Sequence, residues 1–246
     1  VHDFTDMPFI STVQAPQCDD SQPMCAPVRL SSSRNTWISI LIDAKQNYED
    51  QKESTSAKNK AVIAILPGSR EQEVKRKLNI MLKASEKYTE FNIIVACAPN
   101  LPATFYAQYR QDYPFAEFVF GKTYDLLSIA DFAIVTSGTA TLETAIFRVP
   151  QVVCYKSSYL SYKIAKSLVN IRFISLVNLI MDREVVVELI QGDVSKNKIQ
   201  KELDQLIYND SYRYNLLKAY DDMITLLGNE GCSKKIARDL IGFYSR

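Results

Sequence analysis

The chain has 246 residues, of which 47% are hydrophobic and 23% charged, so it can bury a substantial core. The 29 Lys and Arg residues nearly balance the 28 Asp and Glu residues, which argues against a dedicated nucleic-acid-binding protein with its usual basic excess. The single histidine, His2, argues against a histidine-based catalytic triad and against a histidine-rich metal site.

The five cysteines include no CxxC pair, and their number is odd. Cys97 and Cys154 lie within apolar runs, where cysteine usually serves as a small hydrophobic residue. We therefore expect neither a disulfide framework nor a bound metal. We also expect a cytoplasmic protein, because the sequence shows neither a signal peptide nor an apolar run of the ~18 residues that a membrane span needs.

The N-terminal part differs from the rest of the chain. Residues 1–36 contain four of the nine prolines and show no helical or strand periodicity, so we predict an irregular or disordered segment. Residues 37–60 begin with a short apolar stretch and end in a polar one, which is typical of a linker. Regular patterning then runs over residues 61–246, which we predict to form one domain.

Within this domain, short apolar runs alternate with segments of helical periodicity. This alternation predicts an α/β fold, a Rossmann-like parallel sheet with helices on both faces, followed by C-terminal helices. The predicted strands are 61–66, 92–98, 117–121, 132–136, 151–155 and 173–176. The predicted helices start at about 71 and then cover about 103–112, 123–130, 140–147, 158–170, 183–191, 195–208, 211–227 and 232–243.

The turn after the first predicted strand has the sequence Pro67-Gly68-Ser69-Arg70. A glycine permits positive φ or a close backbone approach, Ser69 suits a helix N-cap, and Arg70 can clamp a phosphate. The amide groups at the start of the following helix would favour an anion. An ordinary turn between strand and helix explains the same residues, because neither the P-loop nor the GxGxxG pattern is present.

The turn after the fourth predicted strand places hydroxyl groups around a glycine, in the order Thr136, Ser137, Gly138 and Thr139. This composition at a helix N-terminus suits a diphosphate. Glu143 lies about one turn into the helix, where a carboxylate can accept hydrogen bonds from ribose hydroxyls. The alternative is a capped helix in which Glu143 merely complements the helix dipole.

Four motifs in the order LPGSR, SGTATLE, PQVVCYK and SLVNLI resemble the C-terminal half of lipid-A-disaccharide synthases, over residues 61–243. The resemblance implies one half of a GT-B fold, whose two Rossmann-like domains enclose the active site. It implies transfer of 2,3-diacylglucosamine from UDP to 2,3-diacylglucosamine 1-phosphate without a metal or other cofactor. The positions that match the family's UDP-donor motifs are Gly68, Ser69, Arg70, Ser137, Gly138, Thr139, Thr141, Glu143, Asn178 and Gln191.

The resemblance also implies the partners of the protein. These are UDP-2,3-diacylglucosamine, an acylated glucosamine 1-phosphate and the surface of the bacterial inner membrane, with no nucleic acid. Residues 155–173 interleave tyrosines with lysines and could form an interfacial surface. A helix that packs its apolar face on the sheet and exposes its lysines to water explains this segment more simply.

Residues 1–36 do not resemble the N-terminal acceptor domain of these enzymes. We therefore expect the chain to carry mainly the UDP-binding half, with the catalytic base in the acceptor domain. Two alternatives stay open: another GT-B enzyme such as a UDP-N-acetylglucosamine epimerase or the peptidoglycan transferase, and a non-catalytic nucleotide-binding module. The single histidine disfavours an epimerase, which would need additional catalytic acids and histidines.

Overall fold

A computed structural model describes residues 60–136, 138–156 and 172–227. Its strands are β1 (Val62–Leu66), β2 (Asn92–Cys97), β3 (Ala116–Phe120), β4 (Phe132–Thr136), β5 (Gln151–Tyr155) and β6 (Glu188–Ile190). Its α-helices are α1 (Glu71–Ser85), α2 (Ala107–Asp112), α3 (Thr123–Ile129), α4 (Thr139–Ile146), α5 (Leu176–Met181), α6 (Lys196–Tyr208) and α7 (Asp210–Leu227). Short 3₁₀ turns cover Ala103–Tyr106 and Gln191–Asp193.

The six strands form one parallel sheet in the order β3-β2-β1-β4-β5-β6. The chain thus builds outward from β1 to β3 on one side and from β4 to β6 on the other. This order is that of a Rossmann-like sheet. The predicted fold class is confirmed.

The sheet is covered on both faces because its central strands are apolar on both sides. Every residue of β1 and of β4 is buried. On one face, Ile63, Ile65 and Ile134 belong to the larger core cluster, which includes buried residues of α1, α6 and α7. On the other face, Ala64 and Val135 belong to a smaller cluster with residues of α3.

Helix α1 forms because apolar residues recur at helical spacing along one side of it. Val74, Leu78, Met81 and Leu82 are fully buried against the sheet. The C-terminal helices also reach α1. The Tyr88 hydroxyl, just beyond α1, donates to the carboxylate of Asp204 in α6 over 2.9 Å. This contact holds the C-terminal end of α1, whereas its N-terminal end lies at the edge where the strands end because α1 follows β1 after a short turn.

Two predicted elements between β5 and α6 are wrong. The apolar run 173–176 is not a strand: Phe173, Ile174 and Ser175 are irregular, and α5 begins at Leu176. The sixth strand is Glu188–Ile190 instead, within the predicted helix 183–191. Short apolar runs carry no period that separates strands from other buried segments, and here side-chain hydrogen bonds decide the outcome.

The remaining predicted elements are confirmed to within a few residues, apart from those outside the described ranges. The helices predicted at about 158–170 and 232–243, the segment 1–36 and nearly all of the linker lie outside them. In the part of the chain that the structure describes, no helix is both long and apolar enough to cross a membrane.

Candidate nucleotide-binding site

The two predicted anion-binding turns lie side by side at the centre of the sheet. They follow β1 and β4, which are paired neighbours with Leu66 opposite Val135. The chain continues from β1 towards β2 and from β4 towards β5, in opposite directions along the sheet. In open α/β sheets the crevice at such a switch point is where ligands bind. Ser137 lies outside the described residues, so its side chain is not placed.

Both turns depend on a glycine with positive φ. Gly68 has a φ of +115°, and a Cβ at this position would lie 2.7 Å from Oε2 of Glu73. Gly138 has a φ of +121° and is the N-cap of α4, with nothing among the described residues within 4 Å of a Cβ there. Gly68 therefore allows the Glu73 side chain to approach the backbone closely, and Gly138 leaves open space at the N-terminus of α4.

Arg70 is the N-cap of α1, so the prediction that Ser69 caps this helix is wrong. The Arg70 carbonyl accepts hydrogen bonds from the amides of Glu73 and Val74, at 2.9 and 3.0 Å. The side chains of Ser69 and Arg70 are exposed. Among the described residues the Arg70 guanidinium has no hydrogen-bonding or ionic partner, and it is therefore available to an external anion.

The polar residues of α4 fall into two groups. The Thr141 hydroxyl is fully buried, donates to the Gly138 carbonyl over 2.8 Å and accepts from the Leu176 amide over 3.3 Å. It holds the turn and α5 together. Thr139 is exposed and Glu143 is half-buried. Burial raises the pKa of the Glu143 carboxyl, and a hydrogen bond with Thr139 opposes that shift.

Asn178 is fully buried and its side chain serves the protein itself. Its Oδ1 accepts from the amides of Val185 and Val186, at 2.7 and 2.9 Å. Its Nδ2 donates to the Val186 carbonyl and to Glu188 Oε1, both at 2.8 Å. These four contacts use the whole hydrogen-bonding capacity of the amide group. Asn178 therefore positions the segment between α5 and β6.

Glu188, in the edge strand β6, is a residue that the sequence reasoning missed. Its carboxylate accepts from the Ile174 amide at 2.9 Å and from the amide and hydroxyl of Ser175, both at 2.8 Å. Together with Asn178 it ties the segment before α5 to the sheet. These hydrogen bonds hold residues 173–175 in an irregular conformation, so they do not pair with a strand of the sheet. The only sequence signal was a carboxylate within an otherwise apolar run.

Gln191 follows β6 directly and has a φ of +51°. It thus lies at the same edge of the sheet as the two glycine turns, because all six strands are parallel. It is half-buried, and one strand, β5, lies between β6 and β4.

A second residue that the sequence reasoning missed is Lys77. Helical spacing puts it on the buried face of α1, and only 2% of it is exposed. Its ammonium donates to the hydroxyl of Thr136, the last residue of β4. Burial lowers the pKa of Lys77. Cys154 pairs with Thr136 in the sheet, and burial raises the pKa of its thiol to about 12, so it stays neutral.

Comparison with known proteins identifies the family. Residues 38–240 match the family model described as lipid-A-disaccharide synthetase, which is most of the chain. The chain belongs to the lipid-A-disaccharide synthase family. It is 34% identical over 190 residues to the lipid-A-disaccharide synthase of Anaeromyxobacter dehalogenans strain 2CP-1, covering 75% of this chain and 50% of that one. It is 36% identical over 181 residues to that of Syntrophus aciditrophicus, covering 71% and 47%.

This member thus spans about half the length of the curated family members it matches. Solved structures of UDP-GlcNAc 2-epimerases resemble it in fold. That from Neisseria meningitidis gives a TM-score of 0.53 at 16% identity, covering 84% of this chain and 53% of that one. A putative one from Listeria monocytogenes gives 0.51 at 13% identity, covering 85% and 52%. The fold is the Rossmann-like half of a GT-B protein. Within the described ranges, no group of three or more His, Cys, Asp or Glu residues could hold a metal ion.

Proposed function

We propose that this chain is the UDP-binding half of a lipid-A-disaccharide synthase. The reaction would transfer 2,3-diacylglucosamine from UDP to 2,3-diacylglucosamine 1-phosphate. The observation that carries the proposal is the adjacency of the two family motifs, with Gly68 and Gly138 side by side at the switch point of the sheet. An exposed, unpartnered Arg70 at the same place fits a diphosphate, within the part of the chain described.

In this reaction the UDP-binding half would stabilise UDP as the leaving group. As the acceptor hydroxyl attacks the anomeric carbon, the bond to the diphosphate breaks and negative charge grows on UDP. Arg70 and the amides at the N-termini of α1 and α4 would bind that charge. The hydroxyls of Ser137 and Thr139 would add donors. The general base is assigned to no residue of this chain.

The other motif residues divide between contact and support. Glu143 would accept hydrogen bonds from the ribose hydroxyls, and Gln191 would contact the donor from the edge of the sheet. Thr141 and Asn178 are occupied by internal hydrogen bonds, so we assign them the positioning of the loops. Membrane-surface association belongs to the proposal as well, because both substrates carry acyl chains.

The test uses the 246-residue polypeptide and isothermal calorimetry with UDP. We expect UDP to bind, and we expect no disaccharide in a transfer assay with both acylated substrates. A polypeptide that ignores UDP would overturn the proposal. Robust turnover would show instead that the complete reaction resides in these residues. Epimerisation of UDP-N-acetylglucosamine would favour the enzyme class to which the structural neighbours belong.

A further inference from the structure

Lys77 is a charged residue at a position where the helix pattern calls for an apolar one. It lies between Val74, Leu78 and Met81 in the buried stripe of α1, and all four side chains are at most 2% exposed. An ammonium group that loses its water is costly to keep charged unless other groups compensate it. A leucine or methionine would pack there without that cost, so stability alone does not explain the lysine.

The described part of the protein compensates this charge only partly. The single hydrogen bond of the ammonium goes to the neutral hydroxyl of Thr136, and no carboxylate in the described ranges forms an ion pair with it. Burial lowers the pKa of Lys77 more than the Glu73 carboxylate raises it, and Arg76 lowers it further. The site therefore has positive charge to offer to an anion.

The position of Lys77 shows where such an anion would be. Thr136 ends β4 and directly precedes the turn at Gly138. Its methyl group lies 3.4 Å from where a Cβ on Gly68 would be. Helix side chains point towards the helix N-terminus, which for α1 is the end beside Gly68. The Lys77 ammonium therefore binds the residue that lies beside Gly68 and leads into the turn at Gly138.

We propose that Lys77 is the buried counter-charge of the bound diphosphate, which it attracts from beneath the two turns while it holds Thr136 in place. This inference rests on the proposed function and names a residue of the same site. Arg70 would hold the anion from the solvent side and Lys77 from the protein side. Because a buried charge is screened little, removal of the lysine should weaken diphosphate binding about ten- to thirtyfold.

The test compares Lys77→Met with Lys83→Met, which removes an exposed lysine of the same helix. Calorimetry would measure UDP, inorganic pyrophosphate and uridine. For Lys77→Met we expect the tenfold or larger loss for UDP and pyrophosphate, with uridine unchanged. For Lys83→Met we expect changes below about twofold. Thermal denaturation should show that Lys77→Met is folded and at least as stable as the wild type, since a buried charge has been removed.

Lys77→Gln tests the charge itself, because the amide keeps a hydrogen-bond donor at this position but carries no charge. We expect it to bind diphosphates as weakly as Lys77→Met. Anion binding should also raise the lowered pKa of Lys77, so UDP binding should take up protons as the pH rises through that lowered pKa. Calorimetry in buffers of different ionisation enthalpy measures this uptake, and both variants should lose it.

The outcomes are distinguishable. Equal losses for uridine and UDP, full affinity in Lys77→Met, or restored affinity in Lys77→Gln would each overturn the role of Lys77. A wild-type chain that binds pyrophosphate through Lys77 but ignores UDP would overturn the proposed function and leave this inference intact. A wild-type chain that binds neither would overturn both.

Discussion

Replacement of Asn178 by alanine should destabilise the fold and only indirectly affect the ligand. Asn178 belongs to a family motif, yet its amide is fully buried and makes four hydrogen bonds within the protein. Two of them satisfy the buried amide and carbonyl of Val186. Alanine would leave these two groups without partners, while the more accessible amide of Val185 could be hydrated.

The magnitude follows from those two groups. A buried polar backbone group that loses its partner costs about 1–3 kcal/mol, so the loss of two partners should lower the unfolding free energy by about 2–6 kcal/mol. For a domain of this size that corresponds to a fall in melting temperature of about 5–25 °C. The affinity for UDP, measured well below the melting temperature, should fall by less than about tenfold.

Thermal denaturation followed by circular dichroism, combined with UDP calorimetry, measures both effects. The matched control is Asn197→Ala, which truncates an exposed asparagine in the first turn of α6 that has no partner in the described ranges. It should melt within about 2 °C of the wild type. If Asn178→Ala melts like this control but binds UDP a hundredfold more weakly, then Asn178 contacts the ligand and our assignment is wrong.

Three further predictions test the proposed ligand contacts and the proposed membrane surface. Arg70→Ala should lower the affinity for UDP about ten- to a hundredfold and the affinity for uridine little, because a charge-assisted contact is worth about 1.5–3 kcal/mol. Equal losses of affinity for the two ligands would refute a contact between Arg70 and the diphosphate. Glu143→Gln should reduce the preference for UDP over 2′-deoxy-UDP. Since burial raises the pKa of Glu143 in the fold, its ionisation destabilises the protein as the pH rises, so this variant should also melt higher at neutral pH than the wild type. The chain should bind anionic vesicles at low salt, and changing Lys163 and Lys166 to Glu should weaken that binding without changing the affinity for UDP. A wild-type chain that does not bind anionic vesicles at low salt would refute the proposed membrane surface.

Much of the fold could be predicted from sequence because its central strands are buried on both faces. A wholly apolar run such as 62–66, followed by a glycine turn and a helical pattern, has few other structures available to it. The prediction failed between residues 173 and 191. There the strand is three residues long, and the outcome depends on the carboxylate of Glu188, which binds two backbone amides of an adjacent segment. Such a long-range contact leaves no periodicity in the sequence.

The candidate site, too, was predictable only where the signal in the sequence is local. Sequence alone located the glycine turns, because a glycine at the end of a buried strand has a local physical reason. It could not tell ligand-binding polar residues from those that hold the loops, because threonine and asparagine serve both purposes. Thr141 and Asn178 are buried with their hydrogen bonds satisfied, whereas Arg70 and Thr139 are exposed.

We therefore use two properties to propose which polar residues bind the ligand: how deeply the side chain is buried, and whether its charge and hydrogen bonds are satisfied within the described part of the protein. A buried side chain whose hydrogen bonds are all satisfied within the protein, such as Asn178, gains nothing from an anion. An exposed Arg70 gains charge-assisted hydrogen bonds. A buried Lys77, whose one hydrogen-bond partner in the described ranges is a hydroxyl, gains a counter-charge. In our proposal the motif residues of this chain form a scaffold around a centre of positive charge, and part of that charge comes from Lys77, on the buried face of α1. A lysine within an apolar helical stripe that ends beside a glycine turn is a pattern that can be sought directly in a sequence.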